Sequence, residues 1–305
     1  MISLIFPTFN EQDNVEALYN ALYIVVPKIK GQEFEFIFVD DCSTDKTPEV
    51  LRELHQKDRR VKAIRFARNC GSHAAIRAGL EHCQGNCAIV LAADLQDPPE
   101  IIIKMIEEWQ AGAKIVWGVR IDRRGPRSLE RIFSRLYYFL MNWLTTVKMP
   151  PSGTDVFLAD RVVIEAYRQV TEKHTSVFMT LAWLGFKQAS FEYAKHRRLS
   201  GKSKWTLRKK IKLTIDSLLA FSDVFIRYMS VIGFLVAFLG FLYAIYVLWS
   251  YINGAPVEGW SSLMVGILVI GGVQMIMLGV LGEYLWRTFD ESRKRPAFII
   301  EYMIK

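Results

Sequence analysis

The sequence predicts an α/β fold built on a mostly parallel sheet, followed by interfacial amphipathic helices and two transmembrane helices. Three observations carry this expectation. Up to about residue 120, short β-branched or aromatic runs alternate with helix-like segments, the pattern of βαβ units. The corners that follow four of these runs are polar, which is where open α/β sheets bind ligands. Further on, residues 229–252 and 259–282 each hold 24 positions without a charged side chain. A helix needs roughly 20 apolar residues to cross the hydrocarbon core of a bilayer.

Taken in order, strands are expected over 2–6, 34–39, 61–66, 88–91 and 115–119, and helices over 14–29, 47–58, 72–83 and 98–110. Pro98 and Pro99 suit the start of the last helix, since a first-turn proline lacks only an N–H that would have no intrahelical acceptor. The corners read Pro7-Thr8-Phe9-Asn10-Glu11, Asp40-Asp41-Cys42-Ser43-Thr44-Asp45, Arg68-Asn69-Cys70-Gly71-Ser72 and Asp94-Leu95-Gln96-Asp97. Together they define a ligand cleft on one sheet edge. Around Gly71 and Gly79 the sequence fits neither GxGxxG nor GxxxxGK[ST], which disfavours a NAD-type dehydrogenase and a P-loop NTPase. A nucleotide diphosphate bound here would be neutralised by a metal and cationic side chains. That makes Asp94 the central residue.

The net charge is +8 and 51% of residues are hydrophobic. Lys202, Lys204, Arg208, Lys209, Lys210, Lys212 and Arg227 precede the first apolar span, and Arg287, Arg293, Lys294 and Arg295 follow the second. The connector 253–258 has no Lys or Arg. The positive-inside rule therefore puts the large N-terminal part and both termini in the cytoplasm of an integral membrane protein. Its basic excess suits anionic lipid headgroups and not nucleic acid. The run 2–6 is too short for a signal peptide. Cys42, Cys70, Cys83 and Cys87 form no CxxC pair, so reduced thiols are expected and a structural zinc is not.

Two amphipathic helices are expected between the sheet and the spans. In the first, Arg123, Arg124, Arg127, Arg131 and Arg135 interleave with an aromatic and aliphatic face from Leu129 to Trp143. Packing on the sheet and lying in the membrane interface both fit it. In the second, Leu207, Ile211, Ile215, Leu218, Leu219, Phe221 and Phe225 form a stripe that leads into the first span, and an interfacial position is the simpler reading. The expected organisation is an α/β ligand-binding domain over 1–200 and a juxtamembrane region over 201–228. A two-helix transmembrane domain over 229–286 and a cytoplasmic tail over 287–305 complete it.

Five segments in order carry a resemblance: Phe6-Pro7-Thr8-Phe9-Asn10-Glu11, Val39-Asp40-Asp41-Cys42-Ser43-Thr44-Asp45, Ala67-Arg68-Asn69, Ala93-Asp94-Leu95-Gln96-Asp97-Pro98-Pro99-Glu100 and Ser200-Gly201-Lys202-Ser203-Lys204. With them the chain resembles the family 2 glycosyltransferases of the GT-A fold. More narrowly it is similar to the polyisoprenyl-phosphate glycosyltransferases, such as bactoprenol glucosyltransferases and dolichol-phosphate mannose synthases. The two C-terminal spans fit the bactoprenol branch.

This resemblance implies transfer of a hexose, glucose from UDP-glucose by branch, to a polyprenyl phosphate with anomeric inversion and with Mg²⁺ or Mn²⁺. Pro7, Phe9 and Glu11 would line the base and ribose pocket, and Asp40 and Asp41 would contact the nucleoside. Cys42 stands where the family usually has glycine. Ala93 and Asp94 would lie against the donor, with Asp94 and Gln96 on the metal, while Ala92 replaces the first carboxylate of an Asp-x-Asp pair. Arg120 would face the donor diphosphate. Arg123, Arg198, Ser200, Lys202 and Lys204 would meet the acceptor phosphate, and Asp155 matches the acidic residue near the sugar.

Plainer readings stand beside these: Asp40 and Asp41 as helix caps, Arg198 and Lys204 as lipid-facing charges. A catalytically decayed membrane scaffold and a processive polysaccharide synthase are the rival functions. Two spans are few for a polymer pore, and no Gln-x-x-Arg-Trp segment occurs. Gly266, Gly271, Gly272, Gly279 and Gly282 allow close helix packing in the second span, which suits an oligomer.

Overall fold

The structure, a computed structural model, describes residues 1–121, 154–172, 175–196, 224–253 and 259–305. The helix expected over 123–143 and nearly all of that over 207–225 lie outside them. The described chain forms two units, Met1–Leu218 with Pro296–Lys305, and Leu219–Arg295.

The first unit opens with β1 (Ile2–Thr8), α1 (Gln12–Val25), β2 (Phe34–Asp40), α2 (Thr47–Lys57), β3 (Val61–Phe66), α3 (Ser72–His82), β4 (Cys87–Val90), α4 (Ile101–Gln110) and β5 (Ile115–Ile121). Every residue of β2 and β4 is buried, as expected for strands covered on both faces. Helices α1 to α4 repeat an apolar stripe, which in α4 is Ile101, Ile102, Met105 and Ile106. Burying each such side chain contributes about 1.5–3 kcal/mol. Gly79 lets α3 approach β1, since a Cβ there would sit 2.3 Å from Ile5 Cγ2.

Beyond the expected βαβ units come β6 (Thr154–Asp160), α5 (Arg161–Arg168), α6 (Val177–Trp183), β7 (Gln188–Ala194) and β8 (Ile300–Ile304). The eight strands form one sheet in the order β7-β5-β6-β4-β1-β2-β3-β8. The pairs β1–β2, β1–β4, β2–β3 and β5–β7 are parallel, whereas β4–β6, β5–β6 and β3–β8 are antiparallel. Because β6 runs against both of its neighbours, β5 and β7 regain the direction of β1, β2 and β4. Residues 300–304, expected within a tail, are thus an edge strand of the sheet. Phe298 stacks on Phe66 with ring centroids 4.9 Å apart, and the Ala67 N–H donates to Ile299 O at 2.9 Å.

The second unit holds α7 (Val224–Ile252) and α8 (Trp260–Ser292). Within them, Tyr228–Ser250 and Leu263–Ser292 each contain an 18-residue window of high mean hydropathy, 2.5 and 2.3, and are long and apolar enough to cross a membrane. Helix α8, at about 50 Å for a 1.5 Å rise per residue, runs past the uncharged stretch. There Glu283 accepts from Arg287 one turn on, at 3.2 Å.

Candidate active site

The registers bring the ends of β1, β2, β3, β4, β5 and β7 and the start of β6 to one edge of the sheet. Corners after β1, β2, β3 and β4 follow directly from their parallel pairing. Val90 pairs with Phe157 and Val119 with Thr154, so the backbone of Asp155 lies at this edge, at the irregular step between Gly118 and Val119. Arg120 is exposed at the same end of β5, in register with Tyr193 of β7. The expectation that these corners share one sheet edge agrees with this arrangement. Arg123, Arg198, Ser200, Lys202 and Lys204 lie outside the described residues, as does the side chain of Asp155.

The first two corners are laced together. The Asn10 N–H donates to Ser43 Oγ at 2.8 Å, and the Thr44 N–H returns a bond to Asn10 Oδ1 at 2.8 Å. The Glu11 N–H donates to Thr47 Oγ1 at 2.9 Å, and Thr47 Oγ1 to Asp45 Oδ1 at 2.6 Å. Pro7, Phe9 and Glu11 are each partly exposed around this lacing. Asn10 and Cys42 adopt φ of 53° and 60°, left-handed conformations that few residues besides glycine, Asn and Asp accept readily.

Asp40 and Asp41 are buried, and their carboxylates serve the corners themselves. Asp40 accepts from the Ser43 N–H at 3.0 Å and from the Arg65 guanidinium. Asp41 accepts from the N–H groups of Cys70 at 2.6 Å and Gly71 at 2.8 Å, clamping the third corner to the second. Burial by itself would lower the Arg65 pKa. The hydrogen bond to Glu301 and the charge of Asp40 outweigh it and hold Arg65 above its ordinary value. Burial pushes the Cys70 thiol up, so it is a weak nucleophile at neutral pH.

In the fourth corner Ala93 is buried and Asp94 and Gln96 are partly exposed. Asp94 Oδ1 accepts from the Gln96 N–H at 3.2 Å, and Leu95 between them has φ 56°. Asp97 turns away into the interior, where Tyr193 Oη donates to its Oδ1 at 2.7 Å and Lys195 Nζ lies 3.5 Å from the same oxygen. Among the described residues no three His, Cys, Asp or Glu side chains converge as a metal cage. One carboxylate and one amide oxygen nevertheless fit a hard cation whose shell is completed by substrate oxygens. The residues present therefore suit Mg²⁺ or Mn²⁺ arriving with a diphosphate.

Four contributors escaped sequence reading: Arg65, Glu301, Tyr193 and Lys195. Arg65 carries a signal, a charge inside the otherwise apolar run Val61–Phe66. Tyr193 and Lys195 carry another, since residues two apart in an extended chain share a face.

An open α/β sheet with acidic and basic corners at its carboxyl edge is of the class that binds ligands at its strand ends, and the chain also carries two helices long and apolar enough to cross a membrane. The model of glycosyl transferase family 2 matches residues 3–168. An uncharacterized glycosyltransferase, YkcC of Bacillus subtilis, is 38% identical over 98% of this chain and 93% of its own length. The bactoprenol glucosyl transferase of Shigella phage SfV is 36% identical over 98% of both chains. Among solved structures, a mycobacterial protein superposes with a TM-score of 0.50 at 17% identity, covering 73% of this chain and 76% of that one, which supports the fold. The chain belongs to glycosyl transferase family 2 and is a glycosyltransferase.

Proposed function

We propose that the protein transfers glucose from UDP-glucose to the phosphate of a membrane polyprenol, inverting the anomeric carbon, with Mg²⁺ or Mn²⁺ and at the cytoplasmic face. The observation that carries this reading is the convergence of Asp94, Gln96, Arg120 and the Asp155 backbone on one sheet edge, in a chain with two membrane-length helices. Similarity over nearly the whole chain to a bactoprenol glucosyl transferase supports the lipid acceptor. The pairing of β8 with β3 supports a hairpin crossing, because the chain before and after the two helices shares one sheet. The basic flanks of the helices favour the cytoplasmic side.

A divalent cation held by Asp94 and Gln96 would, when bound, neutralise the charge that develops on the leaving β-phosphate. Arg120 and the basic residues Arg123, Arg198, Lys202 and Lys204, with Ser200, bring two phosphorylated substrates together against their repulsion. Guanidinium groups do so with directional hydrogen bonds. The acceptor is a phosphate monoester with a second pKa of about 6, already ionised at neutral pH. Asp155 consequently orients the sugar or acceptor more than it removes a proton.

The test is incorporation of labelled glucose from UDP-glucose into extractable polyprenyl phosphate, with chelation as a control. Chelator-sensitive labelled lipid is expected. Labelling of a different acceptor, or no label from UDP-glucose, would overturn the corresponding part of the assignment. A second expectation is that Arg198→Ala cripples transfer while largely sparing donor binding.

A further inference from the structure

We infer that Asp97, held by Tyr193 and Lys195, is a positioning residue that fixes Asp94 and Gln96 in their donor-facing geometry. The inference rests on the metal–diphosphate reading of that corner. Three observations carry it. First, Leu95 has φ 56°, a conformation that a bulky L residue holds only when its surroundings enforce it. Second, everything around Leu95 is tied down. Asp94 Oδ1 accepts from the Gln96 N–H at 3.2 Å, the Leu95 side chain packs on the hydrophobic core, and Gln96 O accepts from the His196 N–H at 2.8 Å. Third, the Asp97 carboxylate is buried and bound to two side chains from the end of β7, Tyr193 Oη at 2.7 Å and Lys195 Nζ at 3.5 Å.

A carboxylate in the interior is retained when it is paired and hydrogen-bonded. Here the partners come from 96 and 98 residues away in sequence, and the carboxylate sits one residue after Gln96. Phenol and ammonium converge on a single oxygen, Oδ1, which fixes the carboxylate's position. The backbone bond from His196 then fixes Gln96 from the same strand end. Asp94 is thereby presented to ligand by a corner whose conformation is set from β7.

The measurement is Mn²⁺ binding in the presence of UDP, followed by electron paramagnetic resonance on the full-length protein in detergent, with thermal melting alongside. Tyr193→Phe removes one hydroxyl and Asp97→Asn removes the charge. Each is expected to weaken Mn²⁺–UDP binding, by about tenfold or more for Asp97→Asn, the scale of losing a supporting contact at a metal ligand. Tyr193→Phe, which leaves Lys195 on the carboxylate, is expected to stay folded with a single cooperative melt, lowered by the loss of one buried hydrogen bond. Lys195→Arg keeps the positive charge and is expected to retain most of the binding. Unchanged Mn²⁺–UDP binding in Tyr193→Phe and Asp97→Asn would overturn the positioning role. No Mn²⁺–UDP binding by the unaltered protein would instead overturn the metal reading, and this role with it.

Discussion

Arg65 and Asp40 face each other across the parallel ladder of β3 and β2, the guanidinium donating to the buried carboxylate. On its other side Arg65 donates to Glu301 of β8 at 2.8 Å. A buried charge left without its partner costs about 3–5 kcal/mol, and the Asp40 side chain is only 1% exposed. Arg65→Met should therefore destabilise the sheet unit by about 3 kcal/mol and weaken donor binding. Glu301 is half exposed, and solvent screens it, so Glu301→Gln should cost at most about 1 kcal/mol. Thermal melts in detergent with and without UDP check both, and equal losses for the two variants would contradict this ranking.

Asp94 and Ala92 predict opposite effects at the fourth corner. The only carboxylate of the Asp94–Gln96 pair is Asp94, so Asp94→Asn should lower transfer at least about a hundredfold, the scale of one preorganised electrostatic contact. Ala92 is partly exposed at the same strand end. Ala92→Asp adds a second carboxylate there and should lower the Mn²⁺ concentration for half-maximal activity about tenfold. Metal titration of the transfer rate distinguishes these outcomes, and an active Asp94→Asn enzyme would remove Asp94 from the centre of the site.

His73 sets a pH dependence. It lies in the first turn of α3, where its Nδ1 accepts from the Val177 N–H at 3.3 Å and Phe178 meets its ring edge-on. Burial lowers its pKa from 6.5 to about 4. Between those values the unfolded chain binds a proton that the folded chain refuses, so acidification favours unfolding. The part of the stability that His73 governs should fall as pH drops from 6.5 towards 4 and should level off below. His73→Gln should flatten that segment of a melting-temperature profile, and an unchanged slope would show that other groups govern it.

Legibility followed the range of the interactions. Strands β1 to β5 and helices α1 to α4 lie within four residues of their expected ends, because their apolar periodicity is local. The sheet's antiparallel pairs were not legible. Each involves β6 or β8, whose partners are set by register across long stretches of chain, and the five residues Ile300–Ile304 carry too short a pattern to read alone. At the site, the corner composition was visible but the use of its carboxylates was not. Asp40 and Asp41 serve neighbouring backbone and Arg65, and Asp97 serves β7, which only three-dimensional contacts reveal.

Cys42 and Leu95 share a left-handed backbone, with φ of 60° and 56°, yet glycine should affect them in opposite directions. An L residue in that conformation is strained by about 1–2 kcal/mol, whereas glycine adds about 0.5–1 kcal/mol of backbone entropy to the cost of folding. Cys42 is only partly buried, so Cys42→Gly should stabilise the protein by about 0.5–1 kcal/mol. That corresponds to a melting temperature higher by about 2 °C. Leu95 packs on the core, and truncating such a side chain costs about 2 kcal/mol or more, which exceeds the strain relieved. Leu95→Gly should lower the melting temperature and also loosen the corner that presents Asp94. Parallel melts of the two variants test the argument, since shifts of the same sign would mean that backbone strain does not decide the balance at Cys42.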